Sequence, residues 1–243
     1  MNDIIQSLHS RKSVRAYTDE PITPEEKKLI LEAAVQAPTA GNQQLYTILD
    51  ITDPEVKHKL NILCDNQPFI EDASLVLVFV ADPKKWYDAY AYAGCDPRPL
   101  GIGDLLLSVS DANIAAQNAV VAAESLGIGS CYIGDVMEHH DGVCELLNLP
   151  RYLFPAAMLV FGKPTQQQKD RPKPPRCPME YIVHENAYHP LSENDIKAMF
   201  DNKTGVVGYQ AWIEAFCKRK YNADFSMEMS RSVKQYCMEY LED

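Results

Sequence analysis

The chain has 243 residues, 46% of them hydrophobic, and 34 acidic against 23 basic side chains give a net charge of −11 and a pI near 5.0. That length supports one sizeable core or two. The acidity argues against general nucleic-acid binding, which needs basic surface to neutralise backbone phosphates.

Seven cysteines lie at wide, irregular spacings with no Cys-x-x-Cys pair. Neither a disulfide framework nor a zinc site is expected, and unpaired thiols in a reducing cytoplasm are. The first residues carry no basic leader followed by an apolar run, and no apolar run looks long enough to span a bilayer, so no membrane is expected. His139 and His140 are adjacent and cannot face one way on a helix, which makes them a poor metal pair and a surface one.

In chain order, Ile4, Ile5 and Leu8 predict a short amphipathic helix over 2–9. Arg11-Lys12-Ser13-Val14-Arg15 follows, three cations and a hydroxyl in five residues. Arginine forks match phosphate oxygens, and lysine and serine add a point charge and a short donor. In so acidic a protein the cluster suits a small-molecule phosphate, with a solvated helix end as the alternative. Thr23 as N-cap, Pro24 and the pair Glu25-Glu26 start a helix that runs to about residue 36.

Residues 37–44, Ala-Pro-Thr-Ala-Gly-Asn-Gln-Gln, form a turn-rich loop. Its amides suit a heteroaromatic ring bearing carbonyls and ring nitrogens, or else a solvated turn. Strands are predicted at 46–51 and 74–80, the second buried on both faces, with a helix between them at 54–64. Gln67, just before the second strand, is a turn residue or a ring contact. Residues 81–110 mix aromatic side chains with glycines and prolines, a partly helical excursion able to cover a pocket.

Residues 111–126 are the most apolar helix candidate, ended by Gly127. A strand at 129–133, a Gly134-Asp135 turn, a helix at 143–147 and a strand at 156–161 come next. The polar, proline-rich stretch 165–178 carries Lys169, Arg171, Lys173 and Arg176, and central strand or helix is not expected there. It is an exposed linker or an arm whose cations reach the anion held by Arg11 and Arg15. A polar connection then leads to helices near 209–220 and 227–241.

These pieces together resemble the FMN-dependent nitroreductase and flavin-reductase family, closest to its larger, oxygen-insensitive branch. The likeness rests on Arg11 to Arg15, on 37–44, on Ala116-Gln117-Asn118-Ala119 with 122–129, on Tyr132-Ile133-Gly134, and on Phe161-Gly162-Lys163-Pro164, in that order. It covers roughly residues 3–190. The resemblance implies an α+β fold with a small, mostly antiparallel sheet inside helices, built as an intertwined homodimer. Residues 1–190 would form the FMN-binding domain and 191–243 a helical extension packed on the dimer as part of the same structural unit.

By the same resemblance, Arg11, Lys12, Ser13 and Arg15 would hold the FMN phosphate and ribityl chain. Pro38, Thr39 and Asn42 would come from the other subunit, and Gln67 would meet the ring edge. Tyr132, Ile133 and Gly134 would line one ring face, with the N–H of Gly134 or Asp135 near the flavin N5. Lys173 and Arg176 would supply the arm's phosphate contact, and Arg231 would lie near the nicotinamide-nucleotide phosphate. Asp135 departs from the family pattern, which often has a second glycine there.

The implied activity is ping-pong hydride transfer from NADH or NADPH through FMN to a nitroaromatic, a quinone, free flavin or another small-molecule electron acceptor, with no catalytic side chain. A dehalogenase-like or thiazoline oxidase-like enzyme, a non-catalytic flavin-binding protein and a purely structural domain are the alternatives.

Overall fold

The computed structural model describes residues 1–241. Four strands, β1 (Tyr46–Asp50), β2 (Leu75–Ala81), β3 (Gly129–Ile133) and β4 (Phe154–Gly162), pair in the order β1-β2-β4-β3. Every pairing is antiparallel. Both central strands are buried along their whole length, as the unbroken apolar run in β2 leads one to expect.

Alternation along β2 sends its side chains into two cores. Leu75, Leu77, Phe79 and Ala81 join one cluster, and Val76, Val78 and Val80 join the other. β4 begins two residues before the expected start at 156, and Pro155 lies inside it. The register shifts between Phe79 and Val80 opposite this point, and a bulge is where a central strand tolerates a proline.

The helices around the sheet are α1 (Asp3–Ser10), α2 (Pro24–Val35), α3 (Pro54–Leu63), α4 (Lys84–Tyr92), α5 (Ile102–Ser125), α6 (His140–Leu147) and α7 (Gln166–Asp170). α2 starts as its sequence dictates: Thr23 and Glu26 form a reciprocal capping box, and Pro24 opens the first turn. α2 packs on α5 through alanines, with Ala34, Ala115, Ala116 and Ala119 all at 0% exposure. Side chains this small let the two backbones approach closely.

Three sequence expectations need correction. α5 begins at Ile102 rather than 111, because Asp104 accepts the Gly101 N–H at 2.9 Å and starts the helix inside the glycine-rich stretch. This 24-residue helix is long and apolar enough by composition to cross a membrane, which no run was expected to be, yet it lies against α2, β2 and β4. In the stretch 165–178, α7 forms because Thr165 caps it and the prolines begin only at 172. His140, expected at the surface, is partly buried with its ring 4.3 Å from that of Tyr236.

The chain forms two compact units. Met1–Arg171 with the segment from Glu228 onward makes the first, and Pro172–Met227 the second. The second contains α8 (Glu193–Thr204), where only a polar connection was expected, and α9 (Tyr209–Lys220). Ser192 and Asp195 give α8 a capping box, and the Phe200 and Trp212 rings, 5.3 Å apart, join it to α9. α10 (Asp224–Met238) returns to the first unit. There Tyr236 is fully buried with its ring 5.0 Å from Phe154 and at 88° to it, and the Tyr240 hydroxyl donates to the Tyr152 carbonyl.

Candidate active site

The basic cluster runs along the free edge of β3. The Val14 N–H donates to the Ser130 carbonyl at 2.9 Å, and Ser13 bridges Ser130 in parallel. Beyond it the Thr18 N–H donates to the Lys163 carbonyl and Tyr17 bridges Pro164. Two glycines permit this approach. A Cβ on Gly129 would stand 2.6 Å from Val14, and one on Gly162 would collide with the Tyr17 ring.

Within the cluster the side chains divide their roles. Lys12 donates to the carbonyls of Lys169, at 2.7 Å, and Arg171, and so holds the C-terminal end of α7 against the strand. Arg171 in turn donates through Nη2 to the Ser13 carbonyl at 2.5 Å. Gln168, 8% exposed, accepts the Arg15 N–H at 3.3 Å. Two buried guanidinium nitrogens, Nη1 of Arg11 and Nε of Arg171, have no hydrogen-bond partner among the described residues. Buried donors without partners are costly, and an anion between these side chains would satisfy them.

Arg15 is exposed, with its guanidinium 5.8 Å from the centre of the Phe69 ring. Phe69 belongs to a short 3-10 turn that follows Gln67. Gln67 donates through Nε2 to the Cys64 carbonyl at 2.9 Å and to Asp135 Oδ2 at 2.6 Å. The cationic cluster is thereby connected through Phe69 to the Gln67–Asp135 pair at the end of β3. Along that end, Tyr132 and Gly134 face outward while Ile133 is buried at 2%. Any contact made by Ile133 with a ligand on the outer face runs through its backbone. Burial pushes the Tyr132 hydroxyl up to about 12, with Arg11 acting in the opposite sense.

The amide-rich loop is held by one acid that its sequence neighbourhood does not reveal. Asp111, 2% exposed in the middle of α5, accepts from the Thr39 hydroxyl, from the Ala40 N–H at 3.1 Å and from the Leu45 N–H at 3.2 Å. Thr39 Oγ1 also accepts the Gln44 N–H at 2.7 Å. Pro38 and Asn42 are left exposed, Asn42 with a left-handed φ of 58°. Beside the loop, the Trp86 indole donates to the Gln43 carbonyl at 2.7 Å. Trp86, Tyr87, Tyr90 and Arg98 wall a cavity of about 310 Å³ there.

The remaining expected site residues lie elsewhere in the chain. Lys173 and Arg176 belong to the Pro172–Met227 unit, where the Arg176 carbonyl accepts from Asn202 at 2.8 Å. Arg231, on α10, makes a two-pronged pair with Glu228, each contact 2.7 Å, and donates to Gln235 at 2.6 Å. Gln168, Phe69 and Asp111 were not anticipated as parts of the site, and Arg171 was anticipated only as one cation of an arm able to reach the anion. For Asp111 the signal was a lone carboxylate inside an apolar run. For Arg171 it was a cation placed before the first proline of the arm.

A sequence profile of the nitroreductase family matches residues 8–163. The chain belongs to the nitroreductase family. It is 32% identical over 238 residues to an FMN reductase (NAD(P)H) of Bacillus subtilis, covering 97% of this chain and 91% of that protein. It is 36% identical over 204 residues to an oxygen-insensitive NADPH nitroreductase of Salmonella typhimurium, covering 84% and 81%. Among solved structures, the NADPH:FMN oxidoreductase from Vibrio harveyi complexed with NAD+ matches with a TM-score of 0.82 at 27% identity, covering 97% of this chain and 98% of that one.

The α+β fold with its small antiparallel sheet is that of the nitroreductase family. The site chemistry fits the FMN used by this family. Orphaned guanidinium donors suit a phosphate, an aromatic ring follows them, and a carboxamide with a glycine turn lies beyond.

Proposed function

We propose that this nitroreductase-family chain is an FMN-dependent oxidoreductase that uses NADH or NADPH to reduce nitroaromatics, quinones or free flavin. The observation that carries the proposal is the unpartnered Arg11 Nη1, which lies in a cluster linked to the Gln67–Asp135 pair. Bound there, FMN would supply the chemistry for hydride transfer between nicotinamide and acceptor.

In this reading Arg11, Ser13, Arg15 and Arg171 bind the phosphate and ribityl chain. Lys12 acts by holding Arg171 in place. Gln67 and the N–H groups of Gly134 and Asp135 meet the ring edge, and Tyr132 covers part of one face. Arg231 binds the nicotinamide nucleotide's phosphate. The aromatic-walled cavity beside Gln43 receives a planar acceptor.

The working form is a homodimer in the cytoplasm, with Pro38, Thr39 and Asn42 of one subunit completing the flavin site of the other. Exposed apolar side chains support this. Ile4 and Leu8 on α1 are 66% and 48% exposed, and Leu106 on α5 is 61% exposed, so hydrophobic surface is uncovered in the single chain.

The test is spectroscopic. The purified protein is expected to be yellow, and anaerobic NADH or NADPH to bleach it, with an added nitroaromatic or quinone restoring the colour. A colourless protein that takes up no FMN overturns the proposal. A yellow one that neither nicotinamide bleaches reduces it to a flavin-binding protein.

A further inference from the structure

The turn after Gly134 gathers three carboxylates. One oxygen from each of Asp65, Asp135 and Glu138 lies within 4.8 Å of the other two. Asp65 is exposed and Asp135 partly buried, but Glu138 is 1% exposed. Glu138 Oε1 has no hydrogen-bond partner, and no lysine or arginine pairs with any of the three among the described residues. Three negative charges this close, one of them cut off from water, cannot all persist uncompensated.

The surroundings supply no cation to Glu138. β4, which packs on this turn, has no titratable side chain. Cys64 and Asp65 face it from the end of α3, Asp135 from its own turn and Glu228 from α10. On the near side of α6, His140 is already bound to Asp141 and Glu239. The Arg231 guanidinium and the His139 ring are directed at Glu228, at 2.7 and 3.5 Å.

We propose that Glu138 is a neutral carboxylic acid hydrogen-bonded to Asp135, a positioning residue that keeps the Gln67–Asp135 edge of the flavin site one negative charge lower than the sequence implies. The inference rests on the FMN reading above. Burial first, then the charges of Asp65 and Asp135 and a hydrogen bond to Asp135, push the Glu138 carboxyl up to about 8. Asp135 accepts from the Gln67 amide at 2.6 Å. Reduction adds negative charge to a flavin, so an ionised Glu138 would oppose it and a protonated one does not.

The experiment uses the full chain loaded with FMN and measures the flavin midpoint potential from about pH 6 to about pH 10, for wild type and for Glu138→Gln. Glutamine copies the shape and charge of the neutral acid. The two potentials are expected to coincide on the acid side, and the wild type to fall below the variant above about 8. Parallel curves across the whole range overturn the proposal.

Asp65→Asn gives a second arm that spares the fold, because asparagine readily keeps the left-handed φ of 60° at this exposed position. Removing that like charge should move the break to lower pH, and an unmoved break counts against the proposal. An infrared carbonyl band of a protonated carboxyl, present at neutral pH and lost in Glu138→Gln, reads the proton without flavin. Its absence from the wild type overturns the proposal. So does tight Mn2+ binding that Glu138→Gln abolishes, since a cation would then stand where the proton is placed. Failure to take up FMN sinks the redox reading, whereas the infrared band reports on Glu138 in either case.

Discussion

Arg15 and Asp111 show how differently two site residues are written into a sequence. Arg15 stands in a cationic run inside an acidic chain, and its exposed guanidinium over Phe69 is free of any carboxylate partner among the described residues. Arg15→Ala should therefore weaken FMN binding about ten- to a hundredfold through loss of a charge-assisted contact. An equilibrium flavin titration measures this, and unchanged affinity removes Arg15 from the site. Asp111 looked like the first residue of an apolar helix, and only the fold places its carboxylate under the 39–45 loop. Asp111→Ala strands the buried N–H groups of Ala40 and Leu45 and the Thr39 hydroxyl, with an expected cost of roughly 3 to 5 kcal/mol. Chemical denaturation tests it, and a variant within about 1 kcal/mol of wild type would show that the loop holds itself. Cationic clusters were legible because charge is carried by the residue itself. Buried carboxylates such as Asp111 and Glu138 were not, because their role is set by what folds over them.

Among the elements, those with strong local chemistry were legible. The Thr23-Pro24-Glu26 start of α2, the apolar run of β2 and Gly127 after α5, with its φ of 73°, all behave as their residues dictate. Boundaries failed for two reasons: strand pairing admits Pro155 to β4 through a bulge, and a local cap from Asp104 starts α5 inside a glycine-rich stretch. The return of α10 rests on tertiary contacts. Its Glu228 accepts the N–H of His139, whose φ is 50°, while Ser232 accepts the His140 N–H and donates to the Met137 carbonyl. Arg231 first, and then the His139 N–H, hold the Glu228 carboxyl down to about 2. A lowered carboxyl stabilises the fold above its ordinary value of 4.5 and loses that contribution as pH falls toward 2. Glu228→Gln should thus unfold more readily than wild type at neutral pH and converge with it near the acid end. Thermal melts across that range check the sign, and a gap that is constant with pH would mean the ion pair adds nothing.

For the whole molecule, the family and its fold could be inferred from five short motifs in order, and two of them hold glycines where neighbouring chain approaches the sheet closely. Gly129 and Gly162 make the point: without their bare Cα atoms, Val14 and Tyr17 would be forced off the sheet and the cationic strand with them. Exposed apolar residues such as Ile4, Leu8 and Leu106 carry no such motif, because they lie scattered along the sequence. If loops from two subunits close one flavin site, dilution to the monomer should release FMN, raising free-flavin fluorescence as sedimentation reports dissociation. Monomers that keep their flavin would confine the site to one chain.

The burial of Tyr236 against Phe154 also bears on how the protein is made. A nascent chain leaves the ribosome with β4 complete well before α10 has cleared the exit tunnel, so the hollow beneath Tyr236 stays open during synthesis. Until the final helix docks, that hollow is a greasy landing place for chaperones and for neighbouring unfinished copies.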